Sequence, residues 1–80
     1  MRDPYRTLRG APVVVHLTSG RSLAGTLWDS RRGAVELRAA VELAGQRSVP
    51  LDGSVCVPHA SIDFYQHGAE LTGVAVRAVA

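Results

Sequence analysis

Apolar residues alternate with other residues through the first third of the chain, and this period-two pattern is the feature that most constrains the fold. The alternating apolar positions are Val13, Val15 and Leu17, followed after a short interruption by Leu23 and Leu27. In an extended strand, alternate residues share one face, which is buried while the other face contacts water. The pattern therefore predicts two half-buried strands, near residues 12–18 and 21–29.

Two glycines fit this pattern at the places where a side chain would be unfavourable. Ser19-Gly20 interrupts the alternation where a tight hairpin turn requires a positive φ. Gly25 lies on the predicted buried face of the second strand, where a missing side chain permits a sharp bend or a close backbone approach. The two strands are thus expected to begin a small, strongly curved β-barrel.

The rest of the sequence extends this prediction to five strands and a short N-terminal helix. Asp3 suits the N-cap of that helix, Pro4 its first position and Gly10 its C-terminal end. Alternation continues from 35 to 43 and again at 54–58 and 61–66, whereas residues 44–53 carry turn formers and predict a loop. We assign residues 1–66 to the barrel domain and 67–80 to a C-terminal tail or an extra edge strand.

The length and the cysteine content favour assembly. A chain of 80 residues forms one domain and buries only about 60–65% of its unfolded surface. A core of this size is often supplemented by disulfides, metals or oligomerisation, and the single cysteine excludes an internal disulfide and a cysteine-rich zinc site. No apolar run in the sequence approaches the roughly 18 residues of a membrane span, and we expect a cytoplasmic location.

The glycine spacing and a second segment resemble the Sm and Sm-like family, including its bacterial Hfq branch. Gly20 and Gly25 match the first signature of that family, and residues 55–64 resemble its second signature of two apolar strands around a very short turn. The His59-Ala60 pair is similar to a run in the bacterial branch. The resemblance, which is also compatible with a divergent phage or actinobacterial type, covers roughly residues 4–66. It implies a mainly β, five-stranded antiparallel SH3-like (Sm-fold) barrel.

The resemblance also implies a homo-oligomeric ring of about five to seven subunits. In this family the fourth strand of one subunit pairs with the fifth strand of the next, because an open barrel leaves two unpaired edges. The residues that this pairing would place at the subunit interface are apolar: Val55, Val57, Ile62, Phe64 and Tyr65. A monomer with a protected edge is the alternative.

The family binds single-stranded RNA with the loop after the second strand and the short turn between the last two strands. The matching positions in this chain are Asp29, Ser30, Arg31, Arg32, His59 and Ser61. The resemblance implies that arginines on the first segment neutralise phosphates and that His59 stacks on or hydrogen-bonds a base. Each arginine would be repeated around the ring, which is needed because the formal net charge is only +2.

The sequence leaves a second class of function open. It contains no asparagine, the residue with which the family reads a base edge, and this favours a ring-forming structural or assembly protein without RNA binding. No serine–histidine–aspartate context, phosphate-binding glycine loop or paired-carboxylate motif is evident, so we predict no enzymatic activity, no catalytic residues, no metal site and no cofactor. An RNA chaperone or scaffold and an assembly protein are the two hypotheses.

Overall fold

The computed structural model describes residues 3–68, which form six antiparallel strands and two short 3₁₀ turns. The strands are β1 (Pro12–Leu17), β2 (Ser22–Arg31), β3 (Ala34–Ala44), β4 (Arg47–Pro50), β5 (Val55–Pro58) and β6 (Ile62–His67). The turns cover Arg6–Leu8 and His59–Ser61. The mainly β architecture is confirmed, and the ends of β1, β2, β3, β5 and β6 lie close to the predicted ones. Apart from residues 67 and 68, the predicted tail lies outside the described residues.

The sheet has the order β4-β3-β2-β1-β6, and β5 also pairs with β3. The long strand β3 therefore has two partners on one side: β5 pairs with its first half, from Ala34 to Leu37, and β4 pairs with its second half, from Val41 to Ala44. Among the described residues, β5 and β6 do not pair with each other, so the predicted barrel has the form of an open sheet within one chain.

The prediction of five strands with a loop at 44–53 was wrong, because β4 lies inside that segment. Gly45, with a φ of 64°, turns the chain directly from β3 into β4. The strand is short, mostly exposed and ends at Pro50, and proline is tolerated at an edge because no ladder hydrogen bond is lost there. Because the strand is short and mostly exposed, it has no alternation of apolar residues by which the sequence could predict it.

The predicted N-terminal helix is reduced to one 3₁₀ turn at Arg6–Leu8. The N-cap residue of this turn is Tyr5 and not the predicted Asp3, whose carboxylate Oδ1 instead accepts the Tyr5 backbone N–H at 2.9 Å, one residue before the turn begins. Gly10 follows with a φ of 84° and ends it. So short a segment gains too few helical hydrogen bonds to offset the cost of helix nucleation.

The main cluster of the core consists of Tyr5, Val13, Val15, Leu23, Leu27, Val35, Leu37, Ala40 and Val57. Tyr5 belongs to the N-terminal segment, which therefore packs against the strands and is not a free arm. At Gly25 a Cβ atom would lie 3.0 Å from the Arg38 carbonyl oxygen and 3.1 Å from Ala40 Cα, so the predicted close backbone approach is confirmed. No helix among residues 3–68 is long and apolar enough to cross a membrane.

Candidate functional site

The turn between β2 and β3 lies beside the turn between β5 and β6. Arg32 and Gly33, with φ values of 54° and 77°, form a two-residue hairpin connection of the type I′ class. The backbone N–H of His59 donates to the Gly33 carbonyl oxygen at 2.7 Å, next to the Ala34–Pro58 pair of the β3–β5 ladder. The two segments that the resemblance assigns to RNA are therefore joined in the folded chain.

A cleft of about 540 Å³ opens between these two turns and the N-terminal segment. Its lining consists of Asp3, Pro4, Tyr5, Arg6, Ser30, Arg31, Arg32, Gly33 and His59. Four of the six predicted RNA-binding residues thus converge on one cleft. Three arginines and a histidine line it together with a single carboxylate, so the lining favours an anion.

A hydrogen-bonded group at one side of this cleft joins three parts of the chain. The Ser30 hydroxyl donates to Asp3 Oδ2 at 2.6 Å, and Ser30 Oγ lies 2.9 Å from His59 Nε2. Because the single hydroxyl proton points to Asp3, Ser30 Oγ accepts from His59, and Nε2 carries the proton. His59 Nε2 and Asp3 Oδ2 are 3.8 Å apart. Ser30 is only 1% exposed, so these neighbours exclude water from its hydroxyl.

The acid at this site is stabilised in its charged form. Burial acts to raise the pKa of Asp3, but hydrogen bonds from Ser30 and the Tyr5 backbone, together with the nearby His59 and Arg6, lower it below its ordinary value of 3.8. Tyr5 lies beneath the group, with ring centroids 4.7 Å from His59 and 5.0 Å from Tyr65. Burial, with the neighbouring Tyr65 and Asp3, raises the pKa of the Tyr5 hydroxyl.

The structure places the other two predicted RNA-binding residues outside this cleft. Asp29 lies on a second, smaller cleft of about 190 Å³. Its carboxylate accepts the Ser30 backbone N–H at 2.8 Å and lies 3.7 Å from the Nε atoms of both Arg9 and Arg31. Ser61 is at the far end of its turn, where its carbonyl oxygen accepts the Thr18 backbone N–H at 2.9 Å.

Sequence reasoning missed Asp3 and Tyr5 as members of this site. The pattern around Asp3 indicates a helix cap, which explains its contact with Tyr5 but not its contact with Ser30, 27 residues away. No local signal in the sequence predicts that contact, because it depends on where the first 3₁₀ turn docks on the sheet.

The five residues predicted for the subunit interface have different environments within one chain. Val57 is 4% exposed and belongs to the main core, whereas Val55, Ile62 and Tyr65 are partly buried and pack against it. Phe64 is 54% exposed and stacks on His16, with ring centroids 4.2 Å apart. Phe64 is therefore the member of the set with the most apolar surface left for a partner.

Two further surface residues lie away from the cleft. Trp28 is 48% exposed, and the Arg38 guanidinium carbon lies 3.9 Å from the centroid of its ring, in a cation–π contact. Cys56 is exposed on β5. No group of three or more potential metal ligands occurs among residues 3–68.

Comparison with known proteins identifies the fold and not a family. No family model matches the sequence, and no curated protein matches it. A chain of the crystal structure of the NatC complex bound to CoA is similar, with a TM-score of 0.70 and 25% identity over 85% of this chain and 88% of that chain. A chain of the NatC complex bound to Gag peptide and CoA is similar with the same TM-score and identity, over 84% of this chain and 94% of that chain.

A heptameric archaeal Sm protein is also similar in structure. The TM-score is 0.70, and the identity is 19% over 78% of this chain and 91% of that chain. At this identity the likeness shows the fold alone. The chain therefore has an Sm-like fold, in which an open antiparallel sheet leaves β5 and β6 at its edges.

Proposed function

We propose that the chain forms an Sm-like homo-oligomeric ring that binds single-stranded RNA and acts as a chaperone or scaffold, without enzymatic activity. The observation that carries this proposal is the convergence of Ser30, Arg31, Arg32 and His59 on one cleft. The cytoplasmic location and the kinship with the Hfq branch are parts of the proposal that rest on the sequence.

The chemistry of the cleft suits a nucleic-acid backbone. Arginine has a planar set of donors that matches phosphate oxygens, and all nine basic residues of the chain are arginines. Arg31 is well exposed on β2, and Arg32 lies at the tip of the hairpin. Repetition of these side chains around a ring would give a continuous positive surface. The part of the His59 ring that lines the cleft would contact a base.

Ring assembly is supported by the two open edges of the sheet. Within residues 3–68, β5 pairs only with β3 and β6 only with β1, so each has an outer edge that a strand of a neighbouring copy could join. Phe64 adds an exposed aromatic ring on β6. The similar archaeal Sm protein is a heptamer. A head-to-tail contact between β5 of one copy and β6 of the next closes into a ring if the rotation between subunits permits it.

The geometry of Ser30 supports the part of the proposal that gives the chain no enzymatic activity. In a serine nucleophile the hydroxyl donates to the histidine base, whereas here it donates to Asp3. Ser30 is also almost fully buried, so a substrate carbonyl carbon does not reach its oxygen in this arrangement.

The decisive experiment is light scattering of the wild-type chain with and without short oligo-uridine or oligo-adenine. A discrete oligomer of about five to seven subunits that gains RNA mass supports the proposal.

The arginines of the cleft are tested by the double variant Arg31→Ala with Arg32→Ala. It is expected to bind every RNA sequence more weakly and to reduce the slope of log affinity against log salt concentration by about two. Arg47→Ala, which removes an exposed charge from β4, is the control and changes the slope by less than about one. Unchanged affinity in the double variant removes these arginines from the site.

His59→Ala separates RNA binding from assembly. It is expected to weaken RNA binding by about tenfold, because a lost base stack is worth one to three kcal/mol, and to leave the mass of the oligomer unchanged. Dissociation of the oligomer would instead assign His59 to the subunit interface.

A second candidate function is an assembly or complex subunit that does not bind RNA. Two observations favour it: the Ser30 hydroxyl is already bonded to Asp3 and to His59 within the chain, and the similar NatC chain belongs to a protein complex. A ring whose mass and stability do not change when RNA is added, at low and at physiological salt, would support this candidate.

A further inference from the structure

We infer that Asp3 is an internal competitor for RNA, because its carboxylate occupies in the free chain the place that an acceptor oxygen of RNA takes in the complex. Oδ2 of Asp3 accepts the Ser30 hydroxyl proton and lies 3.8 Å from His59 Nε2. A phosphate oxygen has the same charge and the same accepting chemistry. The inference rests on the proposed RNA binding and concerns the regulation of that same site.

The charge of the cleft makes Asp3 the group that opposes an anion. Arg6, Arg31, Arg32 and His59 line the cleft, and Asp3 is the one carboxylate among its described lining residues. A carboxylate at this place repels an incoming phosphate and accepts the Ser30 hydroxyl proton, which a phosphate oxygen would accept in its absence. Ser30 is 1% exposed and its hydroxyl proton is taken by Asp3, so an RNA acceptor must displace Asp3 to receive that proton.

The N-terminal segment is built so that Asp3 can leave without unfolding the rest. Tyr5 anchors the segment, because its ring is buried in the core against His59 and Tyr65. The carboxylate of Asp3, two residues earlier, is held by the Ser30 hydroxyl and the Tyr5 backbone N–H. Rotation of the Asp3 side chain breaks both of its hydrogen bonds and uncovers the Ser30 hydroxyl. The contact between His59 Nε2 and Ser30 Oγ and the Tyr5 anchor both stay in place.

The test compares the variant Asp3→Asn with the matched control Asp52→Asn. Both remove one negative charge, but Asp52 is exposed in the connection between β4 and β5. The affinity for labelled oligo-uridine and oligo-adenine is measured at fixed salt. Asp3→Asn is expected to bind about five- to tenfold more tightly than wild type, and Asp52→Asn within about twofold of it. Binding by Asp3→Asn that equals the control, or is weaker than wild type, overturns the inference.

A measurement on the wild-type chain keeps the inference testable if the variant does not fold. The Tyr5 amide is bonded to Asp3, and the Leu8 amide donates to the Tyr5 carbonyl oxygen at 3.0 Å. On saturation with oligo-uridine, hydrogen exchange is expected to accelerate at the Tyr5 amide and to stay unchanged at Leu8. Continued protection of the Tyr5 amide in the complex overturns the inference.

The outcomes separate this inference from the proposed function. RNA binding by wild type with no gain in Asp3→Asn leaves the RNA-binding proposal intact and removes the role of Asp3. No RNA binding by wild type or by Asp3→Asn removes both. Binding by Asp3→Asn alone supports both and shows that Asp3 blocks the site in the free chain.

Discussion

At the scale of single residues, Arg32 has a backbone conformation that its side chain does not favour. It has a φ of 54° at the first position of the type I′ hairpin, where asparagine followed by glycine is preferred. We expect Arg32→Asn to raise the free energy of unfolding by about 0.5–1 kcal/mol and to weaken RNA binding. Urea denaturation measures the first effect and RNA titration the second.

The neighbouring Arg31→Asn is the matched control for this prediction. Arg31 ends strand β2 and has no positive φ, so the same substitution gives no gain in stability there. A gain of equal size in both variants would show that relief of charge repulsion, and not the turn conformation, is responsible. An Arg32→Asn variant that is stabilised and binds RNA normally would show that the arginine is not retained for RNA.

Gly25 is the residue whose substitution is expected to harm the fold most directly. A Cβ atom there would lie 3.0–3.1 Å from backbone atoms of Arg38 and Ala40, which cannot rotate away as a side chain can. We expect Gly25→Ala to lower the free energy of unfolding by about 1–3 kcal/mol. The urea midpoint measures this loss, and an unchanged midpoint would mean that β2 and β3 separate at no cost.

Ala39→Gly is the complementary change on the facing strand. Ala39 has a φ of 51° at the irregularity in the β2–β3 register, where glycine has no steric penalty. We expect a gain of up to about 1 kcal/mol, because relief of the left-handed strain exceeds the added entropy of the unfolded chain. Urea denaturation of both variants under one set of conditions gives the comparison, and destabilisation by Ala39→Gly would contradict it.

At the scale of elements, the N-terminal segment is linked to the sheet by a group that titrates. The folded-state pKa of Asp3 is lowered, so its contribution to stability is complete above the ordinary pKa of 3.8 and is lost as pH falls through the lower folded value. We expect wild type to exceed Asp3→Asn in stability at about pH 6 and the gap to narrow below about pH 3.8. Denaturation across this pH range measures the gap, and a constant gap would mean that the hydrogen bonds act without the charge.

At the scale of the whole molecule, one exposed residue and one buried residue distinguish an assembly surface from the core. Phe64 is 54% exposed on an edge strand, whereas Val57 is 4% exposed in the main core. We expect Phe64→Asp to lower the mass of the oligomer while the strand signal in circular dichroism is retained. Val57→Asp is expected to unfold the chain, because it buries an unpaired charge. A Phe64→Asp variant that keeps the wild-type mass would exclude this residue from the subunit interface.

Much of the fold follows from local information in the sequence. Period-two alternation marks β1, β2 and β3, and the missing side chain at Gly25 marks the close approach of β2 to β3. Both signals arise within a few residues of chain, because alternate side chains of a strand must point to opposite faces. The edge strand β4 gives no such signal, since it is short and mostly exposed.

The candidate site was predictable only in part. The segments around Arg31 and His59 could be named from the family resemblance, and the tertiary structure brings them together at the Gly33–His59 hydrogen bond. The hydrogen bond between Asp3 and Ser30, and the position of Asp29 on the other cleft, could not be predicted from the sequence.

The sequence by itself determined the strands and their buried faces, because burial of one face of a strand requires an apolar residue at every second position. Only the tertiary structure decided which polar side chains meet, because contacts across 27 or 29 residues depend on strand register and on the docking of the N-terminal segment.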